Sequence, residues 1–176
     1  MTVKKRIKNP FATTSYFRNK KIKELLPYLK EPILDFGAGG GEYTKALREL
    51  GYVVDCYEPD NQRHDSDLEY ISLELAKTKQ YGSVMVLNVL HHVQFPEELL
   101  SIIKHLGNTV LVAELNGDSW LVKNYHRIFV REEIGLHYSI STLEQLCKPK
   151  KLWTRNFLGF PKVHVYLLLQ KRGESD

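Results

Sequence analysis

Residues 33–47, Ile-Leu-Asp-Phe-Gly-Ala-Gly-Gly-Gly-Glu-Tyr-Thr-Lys-Ala-Leu, decide how this chain folds. Residues 32–36 are short, apolar and bounded by breakers, the composition of a parallel strand covered on both faces. Gly37, Gly39, Gly40 and Gly41 then permit positive φ and strip the turn of side chains, so a ligand can lie against bare backbone. From Glu42 onward Tyr43, Ala46, Leu47 and Leu50 fall at i, i+3, i+4 and i+7, one buried face of a helix. Gly51 supplies its C-terminal stop. Residues 52–57 form a second β-prone run, and the chain then delivers Glu58-Pro59-Asp60. Strand, glycine turn, helix, strand and acid, in that order, build a nucleoside-binding unit.

Outward from this unit strands and helices keep alternating, the pattern of a doubly wound α/β sheet. Residues 68–72 are expected as a third strand, residues 83–88, Ser-Val-Met-Val-Leu-Asn, as a fourth, and residues 109–114 as a fifth. Pro96 suits the first position of a helix whose buried face is Leu99, Ile102, Ile103 and Leu106, closed by Gly107. Asp118 is placed to cap a helix that turns Leu121, Tyr125, Ile128 and Phe129 inward, with Gly135 at its end. Ser141-Thr142-Leu143-Glu144 reads as a capping box for a short helix with Leu143, Leu146 and Cys147 on one side. Residues 152–157 and 163–170, separated by Leu-Gly-Phe-Pro, look like a strand pair. The expected sheet has about seven strands, mostly parallel, with this antiparallel hairpin last and helices on both faces.

With 176 residues and 43% apolar content, the chain buries about 70% of its unfolded surface. That suits a basic segment and helix over residues 1–31 followed by a single domain over residues 32–176. The longest apolar runs, residues 84–90 and 165–169, are too short to span a bilayer, and the basic N-terminus has no apolar h-region. A cytoplasmic protein without membrane partners is expected. Cys56 and Cys147 offer neither a disulfide framework nor metal spacing, and His64-Asp65-Ser66-Asp67 reads as a polar loop, so no metal is expected. Charge is uneven: residues 1–31 carry nine Lys/Arg against two acids, residues 32–140 nine against sixteen, and residues 141–176 seven against three. Lys4, Lys5, Arg6, Lys8, Arg18, Lys20, Lys21 and Lys23, interleaved with Phe11, Tyr16 and Phe17, suit phosphates. The favoured reading instead puts Lys20, Lys21 and Lys23 on the solvated face of a helix whose inner face is Ile22, Leu25 and Leu26.

Two ligand chemistries compete for the glycine loop. A dinucleotide site wants Gly-x-Gly-x-x-Gly with a pyrophosphate on the helix N-terminus. Here Gly37-x-Gly39 is followed by Glu42 in the third place, and a carboxylate entering the helix opposes a phosphate. Instead, Asp35-x-Gly37-x-Gly39-x-Gly41 with an acid ending the next strand resembles the signature of class I S-adenosylmethionine-dependent methyltransferases. Their cofactor carries a sulfonium and an ammonium and no phosphate. The resemblance extends to residues 81–93, Tyr-Gly-Ser-Val-Met-Val-Leu-Asn-Val-Leu-His-His-Val, which look like the family's fourth strand and the loop after it, in the subgroup ending Asn-x-Leu-His-His. It covers residues 16–171, by analogy of pattern. Many members carry an aspartate where Gly82 or Ser83 stands here. Where an acid after the third strand meets the adenine, this chain reads Ile71-Ser72-Leu73-Glu74.

The resemblance implies a Rossmann-like fold, with S-adenosylmethionine as cofactor and S-adenosylhomocysteine as product. It implies that Asp35, Gly37, Ala38, Gly39, Gly41 and neighbouring backbone hold the methionine part, that Glu58 accepts hydrogen bonds from the ribose hydroxyls, and that Asn88 and Val89 line the methyl-bearing side. An ionised acceptor suits a diol, because charge-assisted hydrogen bonds are about twice as strong as neutral ones. His91 and His92 are the candidate catalytic residues. An imidazole near neutral pKa takes the proton of a hydroxyl or ammonium as it is methylated, typically worth about a hundred- to ten-thousandfold. The competing reading is that both histidines pack the loop. His126 and His137 fall in the segment that lies over the substrate in the family.

The acceptor expected is an oxygen or nitrogen of a small molecule, since Asn-x-Leu-His-His is commonest in that subgroup. Two alternatives stand beside it. The basic N-terminus favours RNA or another phosphate-bearing polymer, so nucleic acid remains a candidate partner; a non-catalytic module binding S-adenosylmethionine or another nucleotide is the other. Two base-methylating chemistries are disfavoured: Asn88-Val89-Leu90-His91 replaces the Asn/Asp-Pro-Pro-aromatic motif used on exocyclic amines, and neither cysteine is placed to attack a cytosine.

Overall fold

The computed structural model describes residues 15–129, 137–157 and 160–170. Helix α1 (Ser15–Leu25) precedes β1 (Ile33–Phe36), all four of whose residues are buried. The chain continues through α2 (Glu42–Glu49), β2 (Val54–Tyr57), α3 (Leu73–Thr78), β3 (Tyr81–Leu87), α4 (Pro96–Leu106) and β4 (Gly107–Leu115). It ends in α5 (Trp120–Phe129), α6 (Ile140–Cys147), β5 (Lys151–Phe157) and β6 (Phe160–Gln170). The sheet order is β2-β1-β3-β4-β6-β5. Strands β1 to β4 are parallel, and β6 runs antiparallel to both β4 and β5. Because β1 has β2 on one side and β3 on the other, the strand order reverses there, and the carboxyl ends of β1 and β3 frame the crevice where such sheets bind ligands.

Each face of the sheet carries its own core. On one, Leu34, Val84, Val86, Val112 and Leu167 pack against Leu100, Ile103 and Leu106 of α4 and Leu143 and Cys147 of α6. On the other, Ile33, Met85, Leu111, Ala113 and Tyr166 meet Ile22 and Leu25 of α1 and Ala46 and Leu47 of α2. Successive residues of a strand point to opposite faces, so strands covered on both sides read as unbroken apolar runs.

Several expectations are corrected. Among the described residues the sheet has six strands rather than about seven. The segment expected as the third contributes only an isolated bridge between Cys56 and Tyr70, because Ser72 already caps α3, its Oγ accepting from Leu75 N at 3.1 Å. In α4 the buried face runs through Leu100 rather than Ile102, which is 37% exposed. Gly107 passes straight into β4 in extended conformation. Ser139, not Ser141, caps α6, its Oγ accepting from Thr142 N at 3.0 Å. Asp118 Oδ2 accepts from Ile140 N at 3.4 Å, tying the end of β4 to the start of α6. Lys21 is 5% exposed instead of solvated; it stands four residues before Leu25 and shares its face. Lys4, Lys5, Arg6, Lys8, Phe11 and Gly135, and the side chains of Tyr16, Phe17, Tyr125, His126, Ile128 and Phe129, lie outside what is described. No described helix is long and apolar enough to cross a membrane.

Candidate functional site

The parallel strands β1, β2 and β3 end side by side, so the loops that follow them share one rim. Gly37 leaves β1 at φ +76°, and the N–H groups of Gly37 and Ala38 donate to Tyr57 O at 2.8 and 3.0 Å. Gly39 N donates to Glu58 Oε2 at 2.8 Å, and Tyr70 Oη donates to Gly39 O at 2.9 Å. Glu58 is 7% exposed, and its second oxygen accepts from Asp60 N at 3.0 Å. The glycine loop is thus clamped from the β2 side. A Cβ at Gly41 would lie 2.0 Å from Leu68 Cδ1, whereas one at Gly39 would meet nothing within 4 Å. Beneath the loop, buried Asp35 accepts from Thr44 Oγ1 at 2.7 Å. Burial pushes its carboxyl up to about 6, and the Thr44 hydroxyl opposes the rise.

A cavity of about 300 Å³ opens over this rim. Gly37, Glu58, Asn88, Val89 and His92 line it together with Phe36, Tyr57, Arg63, Leu73, Leu99 and Ile102. Asp35, Ala38, Gly39, Gly41 and His91 are not among its lining residues. Asn88 sits at φ +57°, and its Oδ1 is buried with no hydrogen-bond partner among the described residues. The segment Ile71-Ser72-Leu73-Glu74 brings an apolar side chain, Leu73, into the wall, and Ile102 joins it from α4.

On the other side of the loop after β3, Glu114 is 1% exposed at the end of β4. Its Oε1 accepts from Val89 N at 2.9 Å and from Leu90 N at 2.7 Å, while Oε2 meets His91 Nδ1 at 2.6 Å. The His91 ring centroid lies 4.0 Å from that of His92 and 4.9 Å from that of His137. Sequence reasoning singled out the two adjacent histidines but missed Glu114. The signal was there: an acid within the apolar run of residues 110–115 must find partners once the strand is covered on both faces. His64 stacks on Tyr70 at 3.8 Å, and among the described residues no group of three or more His, Cys, Asp or Glu is arranged to hold a metal ion.

A family model described as a methyltransferase domain matches residues 12–149. The chain belongs to the methyltransferase-domain family. Among solved structures, this methyltransferase is similar to an S-adenosylmethionine-dependent methyltransferase of Archaeoglobus fulgidus, at TM-score 0.69 and 14% identity, over 92% of this chain and 96% of that one. It is also similar to the magnesium protoporphyrin IX methyltransferase of Synechocystis with bound S-adenosylhomocysteine, at TM-score 0.60 and 11% identity, over 88% and 83% of the two chains. A third similar structure is an S-adenosylmethionine-dependent methyltransferase of Methanosarcina mazei, at TM-score 0.59 and 17% identity, over 84% and 96%. No curated protein matches the sequence. The methyltransferase has the Rossmann-like sheet of these structures.

Proposed function

We propose that this methyltransferase moves a methyl group to an oxygen or nitrogen of a small-molecule acceptor, with His91 as the base that removes the acceptor's proton. The observation that carries this reading is the contact of His91 Nδ1 with Glu114 Oε2 at 2.6 Å. An ionised carboxylate only accepts, so the ring proton belongs on Nδ1 and Nε2 is left as the proton acceptor. Glu114 then stabilises the imidazolium that forms, as a buried carboxylate does for a catalytic histidine elsewhere.

The same reading gives Asp35, Gly37, Ala38, Gly39, Gly41, Glu58, Asn88 and Val89 to the cofactor. Three features support the fit: the Glu58 carboxylate at the tip of β2 as acceptor for a ribose diol, the unpartnered Asn88 Oδ1, and the open space before Gly39. Phe36, Leu73 and Leu99 offer apolar walls for the adenine, and His92 stands on this cofactor side. When bound, S-adenosylmethionine supplies a methyl already activated by its sulfonium, so alignment and proton removal are what remain for the protein. One similar structure acts on magnesium protoporphyrin IX, a small molecule. The polymer reading leaned on a basic stripe that loses Lys21 to the interior.

The test is labelled methyl transfer into a fractionated cell extract. Label in a small-molecule fraction, resistant to nuclease and protease, is the expected result. Label released by nuclease would shift the acceptor to nucleic acid.

A further inference from the structure

Between Glu58 and the bridge of Tyr70 to Cys56, the chain leaves β2 and returns against it. What it closes around is the glycine loop. Leu68 occupies the place where a Cβ on Gly41 would stand, 2.0 Å from Cδ1. Lys45 of α2 pairs with Asp65 at 3.0 Å and with Asp67 at 3.6 Å, so this segment is also tied to the helix that the loop opens. His64-Asp65-Ser66-Asp67, a polar loop by its sequence, is therefore part of a strap over residues 37–41.

Tyr70 stands at the centre of the strap. Its Oη accepts from Asp65 N at 3.1 Å and donates to Gly39 O at 2.9 Å. Gly39 N donates to Glu58 Oε2 at 2.8 Å, so both main-chain polar groups of Gly39 are held. The peptide from Gly39 to Gly40 is trans, which sets the Gly40 N–H opposite to the captured carbonyl. Among the described residues that N–H donates to nothing. His64 holds Glu58 in the same way. A carbonyl only accepts, so His64 Nε2 donates to Glu58 O at 2.9 Å. The rings of His64 and Tyr70 are stacked, with centroids 3.8 Å apart and planes 3° from parallel, which joins the two holds into one unit.

We infer that Tyr70 and His64 are positioning residues of the cofactor site. Neither is among the residues that line the cavity; each fixes the main chain of a residue that meets the ligand. This rests on the reading above that Gly39 and Glu58 hold S-adenosylmethionine. Tyr70 sets the direction of the Gly40 N–H, and His64 sets the peptide from which the Glu58 carboxylate projects. A loop without these holds has to order itself as the ligand binds, and that ordering is subtracted from affinity. A role in holding the fold alone would cost stability and leave affinity unchanged.

The test is calorimetric titration of the full chain with S-adenosylhomocysteine, with thermal melting of each variant beside it. Tyr70→Phe keeps the ring and its stack and removes the hydroxyl. His64→Phe keeps the stack and removes the donor to Glu58. Each is expected to bind S-adenosylhomocysteine about threefold or more weakly, the scale of one neutral hydrogen bond. Tyr81→Phe is the control: it deletes a hydroxyl that donates to Asp55 Oδ2 at 2.8 Å, at the amino end of β3 and away from the loop. It melts lower and binds as the wild type does. Wild-type affinity in either folded variant overturns the assignment, and should one variant not fold, the other decides. A matching loss of affinity in Tyr81→Phe also overturns it, since the effect is then one of stability. If S-adenosylhomocysteine fails to bind the wild type, the cofactor reading falls and takes this assignment with it.

Discussion

His91 Nδ1 and Glu114 Oε2 lie 2.6 Å apart, and the other oxygen of the same carboxylate holds the N–H groups of Val89 and Leu90. One buried side chain at the end of β4 therefore fixes both an imidazole and the backbone that presents it. The loop after β3 is positioned from the neighbouring strand, and its chemistry depends on an acid 23 residues further along the chain.

Glu114→Gln tests that dependence. The amide keeps one acceptor oxygen for the backbone, but its NH2 donates to Nδ1, which moves the ring proton to Nε2 and removes the base. The expected kcat falls about a hundredfold or more, S-adenosylhomocysteine affinity stays within about threefold, and stability drops by about 1–3 kcal/mol. Steady-state kinetics beside calorimetry reads all three; an unchanged kcat returns His91 to a packing role.

Glu58→Ala addresses the cofactor. Glu58 accepts from Gly39 N and Asp60 N, and in the proposed complex from the ribose. A hydrogen bond to a charged group contributes about 1.5–3 kcal/mol, so affinity for S-adenosylhomocysteine should fall about ten- to a hundredfold. Calorimetric titration decides, and equal affinity would put the ribose elsewhere.

Gly39→Ala and Gly41→Ala separate binding from folding. At Gly39, φ +56° with open space ahead, alanine costs about 1–2 kcal/mol for its left-handed backbone. Its methyl projects where the cofactor is proposed to lie. The folded variant should melt a few degrees lower and bind S-adenosylhomocysteine at least about tenfold more weakly. Gly41→Ala also drives its Cβ to 2.0 Å from Leu68 Cδ1 and should lose clearly more stability. Equal melting of the two variants would contradict the loop geometry.

Lys21 gives a pH signature. Its folded value of about 8 lies below the ordinary 10.5, so the folded chain releases this proton first. Between about pH 8 and 10.5 the unfolded chain binds more protons, and stability from this residue rises with pH; below about 8 the full cost is present. Lys21→Met removes that cost and should be more stable than the wild type by about 3 kcal/mol at pH 7. The gain should vanish near pH 10.5. Denaturant unfolding across that range checks it, and a gain independent of pH would place the lysine in water.

The glycine loop, its strand and its helix were legible because a short run apolar but for Asp35, clustered glycines and a helical apolar period agree. The third strand was not, since residues 68–72 carry no signal that Ser72 would cap a helix at once. In α4, Leu99, Leu100, Ile102 and Ile103 are all apolar, so periodicity could not say that Ile102 would be left to the cavity wall. Lys21 was misread because charge outweighed its spacing to Leu25. Glu114 was missed because its donors come from another strand's loop.

The central claim is that the loop after β1 and Glu58 bind S-adenosylmethionine. Thermal unfolding with added S-adenosylhomocysteine, against NAD as control, tests it most directly. At about a hundred times its dissociation constant, S-adenosylhomocysteine should add about 2.7 kcal/mol of stability and NAD none. No shift with S-adenosylhomocysteine, or a shift with NAD alone, would contradict the account.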